Sequence, residues 1–128
     1  MTQNHIQLTD LPKKFNRIFH SSPSWSAFEH QEGWANLLGL LFERLTTILE
    51  TDQNAKIEIV QIKEKFGTLS FYYRLHGASE ATAVAVSEAV DIACEKSSSI
   101  CEKCGRDGKL LGRKGWFAVR CSNCDVSL

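Results

Sequence analysis

Ile57-Glu58-Ile59-Val60-Gln61-Ile62-Lys63-Glu64-Lys65-Phe66-Gly67-Thr68-Leu69-Ser70-Phe71-Tyr72-Tyr73-Arg74-Leu75 is the stretch on which the fold turns. β-Branched and aromatic residues dominate both halves, and such side chains fit a pleated, half-buried surface. Lys63 to Gly67 breaks the run with charge and a glycine, as a short connection between antiparallel strands requires. The expectation is a β-hairpin over 56–75, closed by His76-Gly77.

Outward from the hairpin the apolar spacing lengthens to three and four residues. Trp34, Leu37, Leu38, Leu41, Leu45, Ile48 and Leu49 fall on one stripe of a helix over 32–50. A shorter helix over 11–20 carries Phe15, Ile18 and Phe19, with Asp10-Leu11-Pro12 as its start signal. Ser21-Ser22-Pro23-Ser24 ends it, and Trp25 and Phe28 pack the connection. After the hairpin, Ser79 caps a third helix over 80–97, whose inward face is read as Ala81, Val84, Ala85, Ala89, Ile92 and Ala93. A chain of 128 residues is enough for one core. Trp34, Leu37, Leu41, Leu45, Ile59, Phe71, Val84 and Ile92 are the expected members.

The remaining segment is decided by its cysteines. Cys101 and Cys104 form one C-x2-C pair, Cys121 and Cys124 another, with sixteen residues between. A two-residue gap lets a tight turn aim both sulfurs at one point, and two such turns give the four ligands of a tetrahedral zinc ion. Gly105 follows the first pair and Asp125 the second, residue types that tolerate the backbone of such knuckles. Lys109-Leu110-Leu111 and Trp116-Phe117-Ala118-Val119-Arg120 flank Gly112-Arg113-Lys114-Gly115 as a second hairpin. Four thiolates leave no open coordination position, so the expected ion is structural. Cys94, on the third helix, reads as a small buried hydrophobe. The fold class is therefore α+β: an α+β body over 1–98 and a four-cysteine zinc ribbon over 99–128 packed on it.

Charge and composition narrow the function. Net charge is zero, but residues 1–100 carry nine Lys/Arg against twelve Asp/Glu, while residues 101–128 carry six against three. A balance of −3 and +3 gives no global field for nucleic acid or an anionic membrane. The greasiest stretch, Trp34 to Leu49, is interrupted by Asn36, Gly39, Glu43, Arg44, Thr46 and Thr47, so no membrane span is expected. The first residues lack a secretory pattern, and a cytoplasmic location, where thiols stay reduced, is the default.

Catalytic patterns fare poorly. His30-Gln31-Glu32 has the H-x-E form of zinc deaminases, but neither cysteine pair follows a proline. Glu58 and Glu64 can share a strand face, yet no third acid stands near them to complete a magnesium site. No nucleophile elbow or phosphate-cradling glycine loop is present.

Gly33-Trp34, the run Gln61 to Tyr72, and Cys101-Glu102-Lys103-Cys104-Gly105 followed by Gly115-Trp116 resemble a group of small uncharacterised bacterial and phage proteins. Members carry a KEKFG-x-L-x-F-Y hairpin and a C-terminal pair of cysteine pairs. Thr68 and Ser70 stand here where that pattern has Gly and Arg. The resemblance carries over no catalytic residue. It implies an accessory-gene setting like that of immunity proteins and phage counter-defence factors.

The reading is a non-catalytic zinc-ribbon protein that binds a protein partner through the hairpin edge or the ribbon. The alternative is a nucleic-acid-binding ribbon. Arg113, Lys114, Trp116 and Arg120 on the ribbon, with Lys63 and Lys65 on the first hairpin, are the candidate contacts.

Overall fold

The computed structural model describes residues 6–23, 25, 27–113 and 115–125. The architecture is α+β, with helices on a three-stranded sheet, a separate two-stranded sheet, and the four cysteines clustered beside the latter. No helix among the described residues is long and apolar enough to cross a membrane.

The hairpin forms where its sequence places it. β2 (Lys56–Lys65) pairs antiparallel with β3 (Thr68–His76). Ile57, Ile59 and Ile62 face the core opposite Leu75, Tyr73 and Phe71. Strict alternation would bury residue 61 instead of 62. Ile59 pairs with Tyr73 and Gln61 with Tyr72, so Val60 is the extra residue of a β-bulge that shifts the phase by one. The same shift separates Glu58 from Glu64. Glu58 lies opposite Arg74 on the outer face, while Glu64 pairs with buried Leu69 on the inner one. The shared face that a plain strand would give them does not exist.

A third strand, β1 (Phe28–Glu29), joins parallel to β2 with Phe28 beside Ile62. Two residues are too few to show a period. The aromatic packing that ties this connection down is as expected, with Trp25 edge-on to Phe19 at 4.8 Å and to Phe28 at 5.0 Å.

The helix expected over 11–20 is two, α1 (Leu11–Lys14) and α2 (Asn16–His20), after a 3-10 turn over Leu8–Asp10. Phe15, at φ −114° and ψ 45°, leaves the helical region and sets its ring 5.6 Å from that of Phe42. Segments this short have no helical stability of their own, so tertiary packing sets their geometry. α3 (Ala35–Glu50) follows a 3-10 turn over Glu32–Trp34, and the two together bury Trp34, Leu37, Leu38, Leu41, Phe42, Leu45 and Leu49. Phe42, absent from the expected stripe, is fully buried and meets Phe15, Phe19 and Phe71.

α4 (Glu80–Ser97) has the expected limits, and the Ser79 hydroxyl accepts from the Thr82 amide at 3.2 Å as its cap. Its inward face is rotated. Val84 and Ile92, expected in the core, are 51% and 43% exposed, and the buried residues are Thr82, Val86, Ala89, Val90, Ala93 and Ser97. Two hydroxyls are buried because each has a partner: Thr82 bonds to the cap, and Ser97 donates to the Cys94 carbonyl at 2.6 Å. Hydropathy alone ranks them outside.

Ser97 does more than satisfy itself. Its oxygen accepts the Leu69 amide at 2.9 Å. α4 therefore caps the outer edge of β3 at this position, which is not free for a docking strand. Ser97→Ala should leave the Leu69 amide buried without an acceptor, at a cost of about 1–3 kcal/mol. Urea denaturation should show a lower midpoint with an unchanged slope; an unmoved midpoint would remove the edge-capping role.

Candidate metal centre

The second sheet is the ribbon. β4 (Lys109–Arg113) pairs antiparallel with β5 (Trp116–Arg120), from Lys109 opposite Arg120 to Arg113 opposite Trp116. Cys101 and Cys104 precede β4 and Cys121 and Cys124 follow β5, so ribbon pairing brings both turns to one end. The first turn closes through the Cys101 amide on the Arg106 carbonyl at 2.7 Å and the Gly105 amide on the Cys101 carbonyl at 2.8 Å. Gly105 sits at φ 84°, the left-handed conformation its knuckle position calls for.

The four sulfurs lie within 4.8 Å of one another, and those of Cys104 and Cys121 are 3.5 Å apart. That is too far for a disulfide, whose S–S bond is about 2.0 Å, and all five cysteines are free. Thiolates at roughly 2.3 Å from a tetrahedral ion stand roughly 3.8 Å apart, so the set fits one metal ion. No histidine or carboxylate joins the four among the described residues.

Thiols this close titrate as a set. Burial opposes ionisation of Cys101, but backbone amides of Cys121, Cys104 and Lys103 outweigh it and draw the thiol down to about 6. Cys121 is also lowered: burial opposes, and the Cys124 amide and neighbouring thiols prevail. Cys104 is raised by burial, and Cys124 is pushed up to about 12, first by its hydrogen bond with Cys121 and then by burial. Amides aimed at sulfur favour thiolate, and a divalent cation completes the set by displacing the remaining protons.

What the sequence does not disclose is how the centre is tied to the body. The Gly33 amide donates to the Glu102 carbonyl at 2.7 Å, and the Trp34 indole donates to the Ile100 carbonyl at 3.0 Å. A Cβ on Gly33 would overlap the carbonyls of Cys101 and Glu102. From within the first knuckle, the Glu102 carboxylate accepts the Gln31 amide at 3.0 Å and pairs with Arg120 at 3.4 Å, both partners of that pair being buried. Arg120, expected as an exposed contact on the ribbon, is instead an internal counter-ion turned away from any partner. Lone charges between cysteines ordinarily read as surface residues, so only the coincidence of Glu102 with Arg120 on a facing strand hints at the pair.

The other expected contacts are placed as follows. Trp116 is exposed, as is its neighbour Phe117. Lys63 and Lys65 lie opposite Ser70 and Thr68 on the outer face of the hairpin, with the Lys65 amine 3.5 Å from the Tyr72 hydroxyl. Of Arg113 only the backbone is described, and Lys114 lies outside the described residues. His30 packs its ring 5.3 Å from Trp34, and burial lowers its pKa against the opposing pull of the Gln31 carbonyl. Glu32 accepts the Leu8 amide, and His30 Nδ1 lies 2.8 Å from the Gln31 carbonyl oxygen.

One surface feature escapes a reading of the sequence. The hairpin turn at Phe66-Gly67 rests on the ribbon: a Cβ on Gly67 would lie 2.5 Å from Leu110 Cδ1 and 3.1 Å from the Ala118 nitrogen. Phe66, 71% exposed, stands with its ring 6.5 Å from that of Phe117. Leu110 is exposed on the same face of the ribbon as Phe117, giving an apolar surface shared by both hairpins, whereas Trp116, opposite Arg113, lies on the other face.

Comparison with protein families, with curated proteins and with solved structures returns no match.

Two results should follow from this geometry. Glu102→Ala leaves Arg120 buried and unpaired and should destabilise the fold by about 3–5 kcal/mol, whereas Glu102→Leu with Arg120→Met should recover much of the loss. Chemical denaturation of the single and double variants measures this, and equal loss in both would sink it. Second, because Cys101 is already ionised, metal loading at about pH 7 should release fewer than four protons per ion, rising toward four near pH 5. A weakly buffered indicator titration counts them.

Proposed function

We propose that this chain is a zinc-stapled, non-enzymatic binding protein whose partner is another protein, docking on the surface made by Phe66, Leu110 and Phe117. The observation that carries the reading is Phe66. The hairpin turn holds Phe66 at φ 52° and Gly67 at φ 90°. Two positive φ values define the turn that favours Asn-Gly or Gly-Gly. A phenylalanine there costs about 1–2 kcal/mol in backbone conformation, and its ring gains little from burial. A large apolar side chain kept exposed in a strained position points to use at a surface, since such strain concentrates at sites of binding.

Zinc is the ion the donor set favours. Four cysteine sulfurs select soft or borderline metals, and a tetrahedral thiolate cage is the usual structural zinc site. With all four positions filled by protein, such an ion supplies no open site for water or substrate, which supports the non-enzymatic reading.

Lys65 and Lys109 on the hairpins, with Arg113 and Lys114 next to the aromatic residues in sequence, favour nucleic acid as the second reading. The charge balance counts against it. Residues 101–128 carry +3, and four thiolates around a dication add −2, so the loaded ribbon is nearly neutral. Arg120, buried in its pair with Glu102, leaves that balance unchanged but is not available to a phosphate. Nucleic-acid affinity comes chiefly from phosphate neutralisation, and little remains here to supply it. Within the protein-binding reading, the resemblance of the hairpin and cysteine strings to small bacterial and phage proteins supports a neutraliser of a toxin or defence protein.

Two experiments test the proposal. Elemental analysis should find zinc near one per chain, and cobalt substitution should give the charge-transfer and ligand-field absorption of a tetrahedral thiolate site. Phe66→Asn should stabilise the fold by about 0.5–1 kcal/mol, by relieving the turn, while abolishing partner recovery in affinity capture from the native host. A variant that is more stable yet recovers the same partner would overturn the role of the patch. Capture of nucleic acid alone, lost steeply with added salt, would replace it with the second reading.

A further inference from the structure

α3 and α4 lie side by side and leave between them a groove of about 280 Å³, lined by Leu37, Leu40, Leu41 and Arg44 from one helix and Ala89, Ile92, Ala93 and Lys96 from the other. Leu40 is 64% exposed, and Ile92 is the residue whose burial the helix pattern wrongly demands. An isoleucine and a leucine on either side of an open, apolar-floored groove form a surface that water covers at a cost.

The charges around the groove are the informative part. Arg44 and Lys96 stand on its rim, and neither makes an ion pair among the described residues. Glu88 and Glu95 lie four residues before and three after Ile92, on the adjoining stripe of the same helix. They too are exposed and without an ion pair among the described residues. One face thus carries an apolar ridge flanked by acids and an apolar groove flanked by bases. A two-fold interface requires that combination, because the same patch must supply both halves of every contact.

We infer that this face binds a second copy of the chain, with the Glu88-Ile92-Glu95 ridge of each protomer seated in the Leu37–Leu41 and Ala89–Ala93 groove of the other. Arg44 and Lys96 then meet the acids of the opposing protomer. The size suffices. A helix of sixteen residues is roughly 24 Å long, and two packed helices are about 18 Å across. Two such corrugated faces together bury on the order of 1,000 Å², the lower bound for a specific interface. The face shares no residue with the Phe66 patch, so this inference and the proposed function stand or fall separately.

The test is sedimentation of the full, metal-loaded chain between about 1 and 200 μM. Wild type should run as a concentration-dependent dimer. Ile92→Glu, which places a third acid against the groove, should weaken association more than about a hundred-fold while the monomer keeps the far-ultraviolet circular dichroism of the wild type. Arg44→Glu with Lys96→Glu should do the same, and adding Glu88→Lys with Glu95→Lys should restore the dimer. A wild-type monomer across the range, a dimer indifferent to Ile92→Glu, or a failure of the charge exchange to restore association would each overturn the inference.

Discussion

The structure depends on one hydrogen-bonded junction, where the Gly33-Trp34 backbone and indole meet the Ile100–Glu102 segment that opens the first knuckle. It has no room for a side chain at residue 33, and it buries a carboxylate that must be answered by Arg120. These are costly features to leave half made. A buried charge without its partner is strongly destabilising, and Trp34 lies at the start of the helix that carries the largest share of the core. A metal in the knuckle would therefore organise more than the ribbon. Holding the knuckle in place holds Glu102, Glu102 fixes Arg120 and the Gln31 amide, and the same contact seats Trp34.

Much of the fold is legible because it rests on local pattern. The hairpin announces itself by β-branched and aromatic density, α3 by its stripe, α4 by its Ser79 cap, and the metal centre by a spacing with few other meanings. What escapes is non-local. The bulge at Val60 changes which residues face inward without changing composition. α4 is turned because Thr82 and Ser97 bury hydroxyls against partners that only the folded chain supplies. Hydrophobicity assigns Val84 and Ile92 to the core, and it cannot distinguish a core contact from an exposed ridge.

The site is legible to the same extent and for the same reason. The clustered cysteines follow from sequence; their attachment to the body does not. Arg120 reads as a rim cation because its counter-ion, Glu102, sits eighteen residues away in a different loop. Phe66 reads as one letter of a turn, although its φ of 52° is the only positive value at a non-glycine residue among those described. Local strain is invisible in a string of letters until the turn type is known.

The sealed margin of β3 has a further consequence. With the amide of Leu69 engaged by Ser97, part of this strand offers no backbone ladder to a neighbour. Molecules of this protein are thereby discouraged from zipping sheet to sheet into fibrils. Losing the Ser97 hydroxyl would withdraw that guard, and the chain would move a step from dispersed protein toward precipitate.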